Sequence, residues 1–116
     1  MAPDKQLEER VLLSCYEYLT ENLPGNDVAP MMFGQNLLTP RENDDYKAMK
    51  WNEKSIISLS EYLLDCLRKR QDGFLKRFCD ILREIKAAKY LADYIQCTYH
   101  EAIELGGMTD TILIPN

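Results

Sequence analysis

The side chains that most often carry catalysis or hold metals are few in this sequence. It contains one histidine, His100, and four cysteines. A lone histidine needs thiolates or carboxylates arranged beside it to bind zinc, and a nucleophile beside it to act as a general base. No CxxC, HxxxH, HExxH or GxSxG pattern supplies such partners. We therefore interpret His100 as a solvated helix residue, and the sequence predicts a protein that is not an enzyme.

The cysteines fit packing better than chemistry. Cys15, Cys66, Cys79 and Cys97 are far apart in the chain, and each lies within a segment of periodic apolar residues. Disulfides and a metal site are the alternatives, but buried thiols in a reducing compartment suit this spacing better.

Phosphate-binding and di-metal patterns are also missing. The five glycines are scattered and form neither GxGxxG nor GxxxxGK[ST]. No Glu-x-x-His pair is present to build a di-metal site in a helical bundle. The sequence therefore predicts no cofactor and no metal.

The acidic stretch NLLTPRENDDYKAMKW begins with a helix start signal. Thr39 is placed to cap a helix, Pro40 suits its first position, and Glu42 completes a capping box. Acids in a first turn also favour the positive end of the helix dipole, which explains Glu42 well and Asp44 in part. Asp45 lies beyond that turn. A solvated helix start and a surface for a partner both remain open as explanations of these acids.

Basic residues flank the turn at Asp72-Gly73. They are Arg68, Lys69 and Arg70 before it, and Lys76 and Arg77 after it. Cations at a helix C-terminus match the dipole, so solvated helix ends are one explanation. A charged surface for a protein partner is the second, and nucleic-acid binding is the third. Nucleic acid is disfavoured because it would need a larger positive surface, and because Trp51 and the tyrosines are not interleaved with these charges.

Composition indicates one ordered domain. The chain has 116 residues, of which 46% are hydrophobic and 28% charged, with a formal net charge of −5. This size suits a single hydrophobic core. The negative charge argues against a protein that simply coats nucleic acid or anionic membrane. No apolar run approaches the roughly 20 residues of a membrane span, and the polar N-terminus does not resemble a secretory signal.

Apolar residues recur at helical spacing along the whole chain, and no segment alternates with the period of a strand. The pattern predicts an all-α bundle of five or six helices over residues 1–105, followed by a linker or the start of another region over residues 106–116. The predicted helix starts after the first are at Asp27 or just beyond it, with Pro30 in the first turn, at Thr39, at Asn52, near Gly73 and near residue 87. Ile56, Ile57 and Tyr94 are predicted to face the core.

Residues 36–95 resemble a caspase recruitment domain (CARD), a branch of the death-fold superfamily. The resemblance rests on Leu38-Thr39 through Tyr46, Leu63 through Arg70, the aromatics Phe74 and Phe78, and the pairs Leu82-Arg83 and Leu91-Ala92. It implies a six-helix antiparallel Greek-key bundle. It also implies a non-catalytic, cytoplasmic module that binds another CARD in apoptosis or innate immunity. The partner would be a caspase, an apoptosome-type ATPase or an adaptor, and self-association is also implied.

In this family an acidic face commonly pairs with a basic one. The resemblance assigns the acidic face to Asp27, Glu42, Asp44 and Asp45, and the basic face to Lys54, Arg68, Lys69, Arg70, Lys76 and Arg77. The first helix departs from the family because it is acidic, with Glu8, Glu9, Glu17 and Glu21 against Arg10. Lys54 is a single positive charge near the start of the fourth helix. The stronger positive region is therefore the turn between the fourth and fifth helices.

A helical scaffold or ligand-binding bundle unrelated to death signalling is the alternative. Its predicted inward positions are mostly Leu, Ile, Phe and Cys, which leaves few polar groups to orient a ligand. A domain that senses RNA or DNA directly conflicts with the net charge.

Overall fold

Helices make up most of the part of the chain that the structure describes. The computed structural model describes residues 4–107, and for residues 105–107 it describes the backbone alone. These residues form α1 (Lys5–Asn22), α2 (Gly25–Gly34), α3 (Pro40–Trp51), α4 (Ile56–Arg68), α5 (Phe74–Glu84), a short 3-10 turn (Lys86–Ala88) and α6 (Lys89–Gly107). The all-α class predicted from the sequence is confirmed. Residues 106 and 107, assigned to the linker, belong to α6, and residues 108–116 lie outside the described range.

The helices enclose one apolar core. α1 packs against α4 and α6, α5 packs against α6 and α2, and α3 contacts α4 and α2. The largest fully buried side chains are Leu12, Leu19, Met32, Leu37, Leu63, Leu64, Leu67, Phe74, Phe78, Ile81, Leu82 and Leu91. Within α4 and α5 the buried residues recur at spacings of three and four, as in Leu63–Leu67 and Phe74–Phe78, which gives each helix one buried face. Among the described helices, none is both long enough and apolar enough to cross a bilayer.

The capping box predicted at the start of α3 is present. The Thr39 hydroxyl accepts a hydrogen bond from the backbone N–H of Glu42 at 3.1 Å, and the Glu42 carboxylate accepts one from the Thr39 N–H at 2.9 Å. Pro40 occupies the first helical position. These three residues fix the start of α3, because the signal is local and each partner lies within one turn.

Two other predicted helix starts are wrong. α2 begins at Gly25, so Asp27 lies within its first turn instead of capping it, and Pro30 lies inside the helix. Asn52 ends α3 instead of starting α4. The cap of α4 is Ser55, whose hydroxyl accepts a hydrogen bond from the Ser58 N–H at 3.0 Å. Asn and Ser are both common at helix ends, so the residue type did not show that Asn52 ends α3 and that Ser55 begins α4.

Several side chains predicted to be buried are exposed. Ile56 and Ile57 are 70% and 48% exposed because the later start of α4 places them in its first turn, outside the core. Cys97 is also exposed. Tyr94 is 41% exposed, with its ring packed on Tyr18 at a centroid distance of 4.5 Å. The core side of α6 is instead formed by smaller residues, including Leu91, Ala92 and Ile95.

Candidate interaction surface

Glu42 and Arg70, assigned to opposite faces by the resemblance, bind each other. The two guanidinium nitrogens of Arg70 donate to the two carboxylate oxygens of Glu42 at 3.0 and 3.1 Å. The Glu42 side chain is only 12% exposed and the Arg70 side chain only 17%. Arg70 also donates to the Leu37 carbonyl at 3.4 Å. A bidentate pair of this kind holds the start of α3 against the end of α4, so these two charges are used within the fold.

Burial opposes the charge of Glu42, but the pKa of its carboxyl is nevertheless held below the usual range. The hydrogen bond from the Thr39 backbone and the Arg70 guanidinium favour the ionised form more strongly than burial disfavours it. A carboxyl whose pKa is lower in the folded state stabilises the protein above its unfolded pKa. That contribution is lost as the pH falls from about 4.5, the ordinary value for Glu, through the folded value.

Replacing Glu42 by glutamine should therefore lower the free energy of unfolding at pH 7 by about 1–2 kcal/mol. It should also flatten the loss of stability on acidification, because the substituted side chain has no proton to gain. Urea denaturation followed by circular dichroism at pH 7 and at several acid pH values measures both effects. Asp44→Asn, at an exposed position in the same helix, is the matched control. Equal acid sensitivity in the wild type and Glu42→Gln would contradict this role of the pair.

The other three acids assigned to the acidic face are exposed. Asp27 lies in the first turn of α2, and Asp44 and Asp45 lie in α3. Asp45 accepts a hydrogen bond from the Tyr62 hydroxyl of α4 at 3.3 Å. Burial raises the pKa of the Tyr62 phenol, and neighbouring Cys66 and Asp45 raise it further, so Tyr62 remains a donor. Asp44 and Asp45 are thus exposed to solvent, unlike Glu42, and Asp45 is positioned by Tyr62 of α4.

The residues assigned to the basic face do not form one surface. Lys54 precedes α4 and Lys69 follows it, so they lie at opposite ends of a helix of 13 residues, which is about 20 Å long. Lys69, Lys76 and Arg77 are exposed around the α4–α5 turn, whereas Arg68 is half-buried. We call the group of Arg68, Lys69, Lys76 and Arg77 the α4–α5 corner. Lys54 stands apart from it.

Two side chains of the α4–α5 corner make contacts within the chain. Lys76 pairs with Asp80 one turn later at 3.1 Å, with 82% and 48% of the two side chains exposed. Arg77 donates to the carbonyl of Gln35 at the end of α2. An exposed pair one turn apart contributes little to stability, so Lys76 can exchange Asp80 for another carboxylate.

Sequence reasoning missed the role of Glu8. This residue was counted among the surface acids of the first helix, but it is 2% exposed and does not contribute to an acidic surface. Its carboxylate accepts hydrogen bonds from the Gly73 N–H at 2.8 and 3.1 Å and from the Leu75 N–H at 3.3 Å. Gly73 adopts a left-handed conformation, φ 95°, and has no side chain to cap α5 itself. Glu8 therefore serves as the cap of a helix that lies far along the chain.

Three of the four cysteines are buried, as predicted, and Cys97 is not. Burial raises the pKa of the Cys66 thiol to about 11 and that of the Cys79 thiol to about 12, and it also raises the pKa of Cys15. These groups are neutral thiols near pH 7 and poor nucleophiles there. In the described part of the chain no cluster of His, Cys, Asp and Glu is placed to hold a metal ion.

A groove of about 630 Å³ lies along α5 and α6, beside the buried Glu8. Its apolar lining includes Leu75, Ile95 and Tyr99, and His100 lies at its edge. The charged residues along it are largely engaged, since Lys76 pairs with Asp80 and Arg83 pairs with Asp93, which is not part of the lining. The groove therefore offers an apolar floor and few unengaged charges to orient a small molecule.

Comparison of this chain with protein-family models, with curated proteins and with solved structures finds no match.

Proposed function

We propose that this chain is a non-catalytic interaction module of the CARD type, with the antiparallel Greek-key arrangement of the death fold. It would act in the cytoplasm by binding a second CARD, carried by a caspase, an apoptosome-type ATPase or an adaptor in apoptosis or innate immunity. Its mechanism is charge-steered docking that raises the local concentration of whatever is attached to each partner.

The observation that carries the proposal is the burial of the positions on which the CARD resemblance rests. The apolar members of the pattern in α4, α5 and α6 all lie in one core, each at most 2% exposed: Leu63, Leu67, Phe74, Phe78, Leu82, Leu91 and Ala92. Burial of these positions is what the CARD pattern requires, because in that fold they form the core. The pattern specifies the packing more closely than it specifies the partner.

The exposed charges support a narrower pair of docking surfaces than the sequence suggested. Asp44 and Asp45 project from α3, and the α4–α5 corner presents Lys69 with Lys76 and Arg77. Glu42 and Arg70 are engaged with each other between these two regions. We propose that the α3 acids of one molecule meet the α4–α5 corner of another, because these charges are exposed and of opposite sign.

Reversing either surface should reduce association without unfolding the protein. We expect Asp45→Lys and Lys69→Glu each to suppress concentration-dependent growth in light scattering at low salt by at least about tenfold in apparent affinity, since like charges then face each other. Raising the salt concentration should weaken wild-type association for the same reason. The measurement is static light scattering across protein concentration, with circular dichroism to verify the fold.

Two variants with the same changes in charge serve as controls. Glu104→Lys and Lys86→Glu alter exposed residues of α6 and of the 3-10 turn, away from both surfaces, and should leave association unchanged. If the wild type stays monomeric, the same four variants are tested in pull-downs with CARD-bearing proteins. The assignment of surfaces is wrong if the two reversals behave like the controls, and the CARD proposal fails if no CARD binds.

The alternative of a ligand-binding bundle is favoured by one observation, the groove along α5 and α6. Its apolar floor suits a small apolar molecule, but the paired charges along it leave little to provide specificity. A fluorescent apolar probe that binds wild type but not Tyr99→Ala would support this second function.

A further inference from the structure

Three large apolar side chains are exposed where α3 turns into α4. Trp51 is 86% exposed, Ile56 is 70% exposed and Ile57 is 48% exposed. Single exposed apolar residues are ordinary, but a group that includes the only tryptophan of the chain marks a contact surface. We call these three residues, together with Lys47, Lys50 and Lys54, the α3–α4 tip.

The backbone of the α3–α4 tip is ordered by hydrogen bonds. The Lys54 N–H donates to the Met49 carbonyl at 3.1 Å, and the Glu53 N–H donates to the Lys50 carbonyl at 3.0 Å. Glu53 takes a left-handed conformation, φ 58°, which reverses the chain between the two helices. The turn therefore presents Trp51 at the end of one helix and Ile56 at the start of the next.

Lysines surround the apolar group. Lys47 and Lys50 lie four residues and one residue before Trp51 in α3, and Lys54 lies in the turn, all three exposed. The acid within the turn is Glu53, and the next acids along the helices are Asp45 and Glu61. The tip is thus locally positive in a chain whose net charge is −5.

We propose that the α3–α4 tip docks this protein on the surface of an anionic phospholipid bilayer. Trp51 and Ile56 enter the boundary between headgroups and acyl chains, a depth that tryptophan prefers. The lysine stems extend alongside them and place the ammonium groups among the lipid phosphates and carboxylates. No covalent step is involved, and the docking is peripheral.

A bilayer fits this surface better than a protein partner does. Trp51 and Ile56 of the tip are mostly exposed, and neither of them lines the groove along α5 and α6 or the smaller one on α6. Aromatic anchors at protein interfaces are enclosed by a rim of residues around a pocket, whereas a bilayer accepts a protruding apolar group with a cationic surround. The inference stands independently of the CARD proposal, although Lys54 was assigned to the basic face there.

Trp51 is itself the probe for the test, because it is the only tryptophan. The whole chain is titrated with vesicles of phosphatidylcholine alone, and with vesicles that also contain phosphatidylserine, while Trp emission and co-sedimentation are recorded. We expect a blue shift and sedimentation with the phosphatidylserine vesicles. Since each lysine near the surface contributes about fivefold to binding, Lys50→Glu/Lys54→Glu should weaken it by at least about tenfold.

Ile56→Asp retains the probe and should abolish the blue shift, because it places a charge in the inserted group. The matched control is Lys86→Glu/Lys89→Glu, which makes the same change in net charge at exposed positions elsewhere and should bind like the wild type. Circular dichroism verifies that all variants fold.

Three results would overturn the proposal. The first is no shift and no sedimentation with phosphatidylserine vesicles. The second is that Lys86→Glu/Lys89→Glu weakens vesicle binding as much as Lys50→Glu/Lys54→Glu does, which would mean that the overall charge governs binding. The third is a blue shift that grows with protein concentration in the absence of lipid, which would make the tip a contact between copies of this chain. Association of the Asp45→Lys and Lys69→Glu variants is measured without lipid. The CARD proposal can therefore be tested separately even if the protein does not bind vesicles.

Discussion

Replacing Phe78 by alanine is expected to lower the free energy of unfolding by about 3–5 kcal/mol, the range measured when large aromatic side chains are removed from tightly packed cores. Phe78 is fully buried in α5, the helix that packs against both α6 and α2. Its removal loses the transfer free energy of the ring and leaves a cavity that the surrounding helices fill only in part. Urea denaturation followed by circular dichroism measures the change.

The control for this prediction is Phe33→Ala, which removes the same atoms from a side chain that is 39% exposed in α2. It should lower the free energy of unfolding by less than about 1.5 kcal/mol, because less area returns to water. Similar losses for the two variants would contradict the placement of Phe78 at the centre of the core.

The second large effect is expected from Glu8→Ala. This change leaves the N–H groups of half-buried Gly73 and buried Leu75 without their acceptor. The loss of a charged cap together with unsatisfied donors should lower the free energy of unfolding by about 2–3 kcal/mol. Chemical denaturation measures the loss.

Glu9→Ala is the matched control because Glu9 is the next residue in the same helix and its ion pair with Lys5, at 3.9 Å, is solvent-accessible. Its expected effect is below about 0.5 kcal/mol. Glu8→Gln keeps a neutral acceptor and should fall between the two. If Glu8→Ala were as mild as Glu9→Ala, capping of α5 by Glu8 would be refuted.

Contacts within one helical turn were predictable from the sequence, and contacts between residues far apart in the chain were not. Thr39, Pro40 and Glu42 determine the start of α3 within one turn, and the capping box is present. The pairing of Glu42 with Arg70 spans 28 residues, and the contact of Glu8 with Gly73 spans 65. A carboxylate near a helix start has the same residue type whether it faces water or caps another helix, so only the packing of the helices distinguishes these roles.

The start of α4 and the exposure of Ile56 are other differences from the sequence predictions. Asn52 was predicted to cap α4, and Ile56 was predicted to face the core because it lies three residues before Leu59 and seven before Leu63. In the structure the hydroxyl of Ser55 caps α4, and Ile56 faces solvent. The lone tryptophan beside three lysines was the signal in the sequence that could have indicated an exposed contact surface there.

The bond from Glu8 to Gly73 also closes a ring. Everything between these residues, from most of α1 through the end of α4, forms a loop whose two ends are joined by one carboxylate. Cutting away the first turn of α1 would therefore damage more than the N-terminus, since it would remove the cap of a helix in the second half of the domain. A chain that lacks Glu8 would thus lose a restraint on the α4–α5 corner, although no residue of that corner is changed.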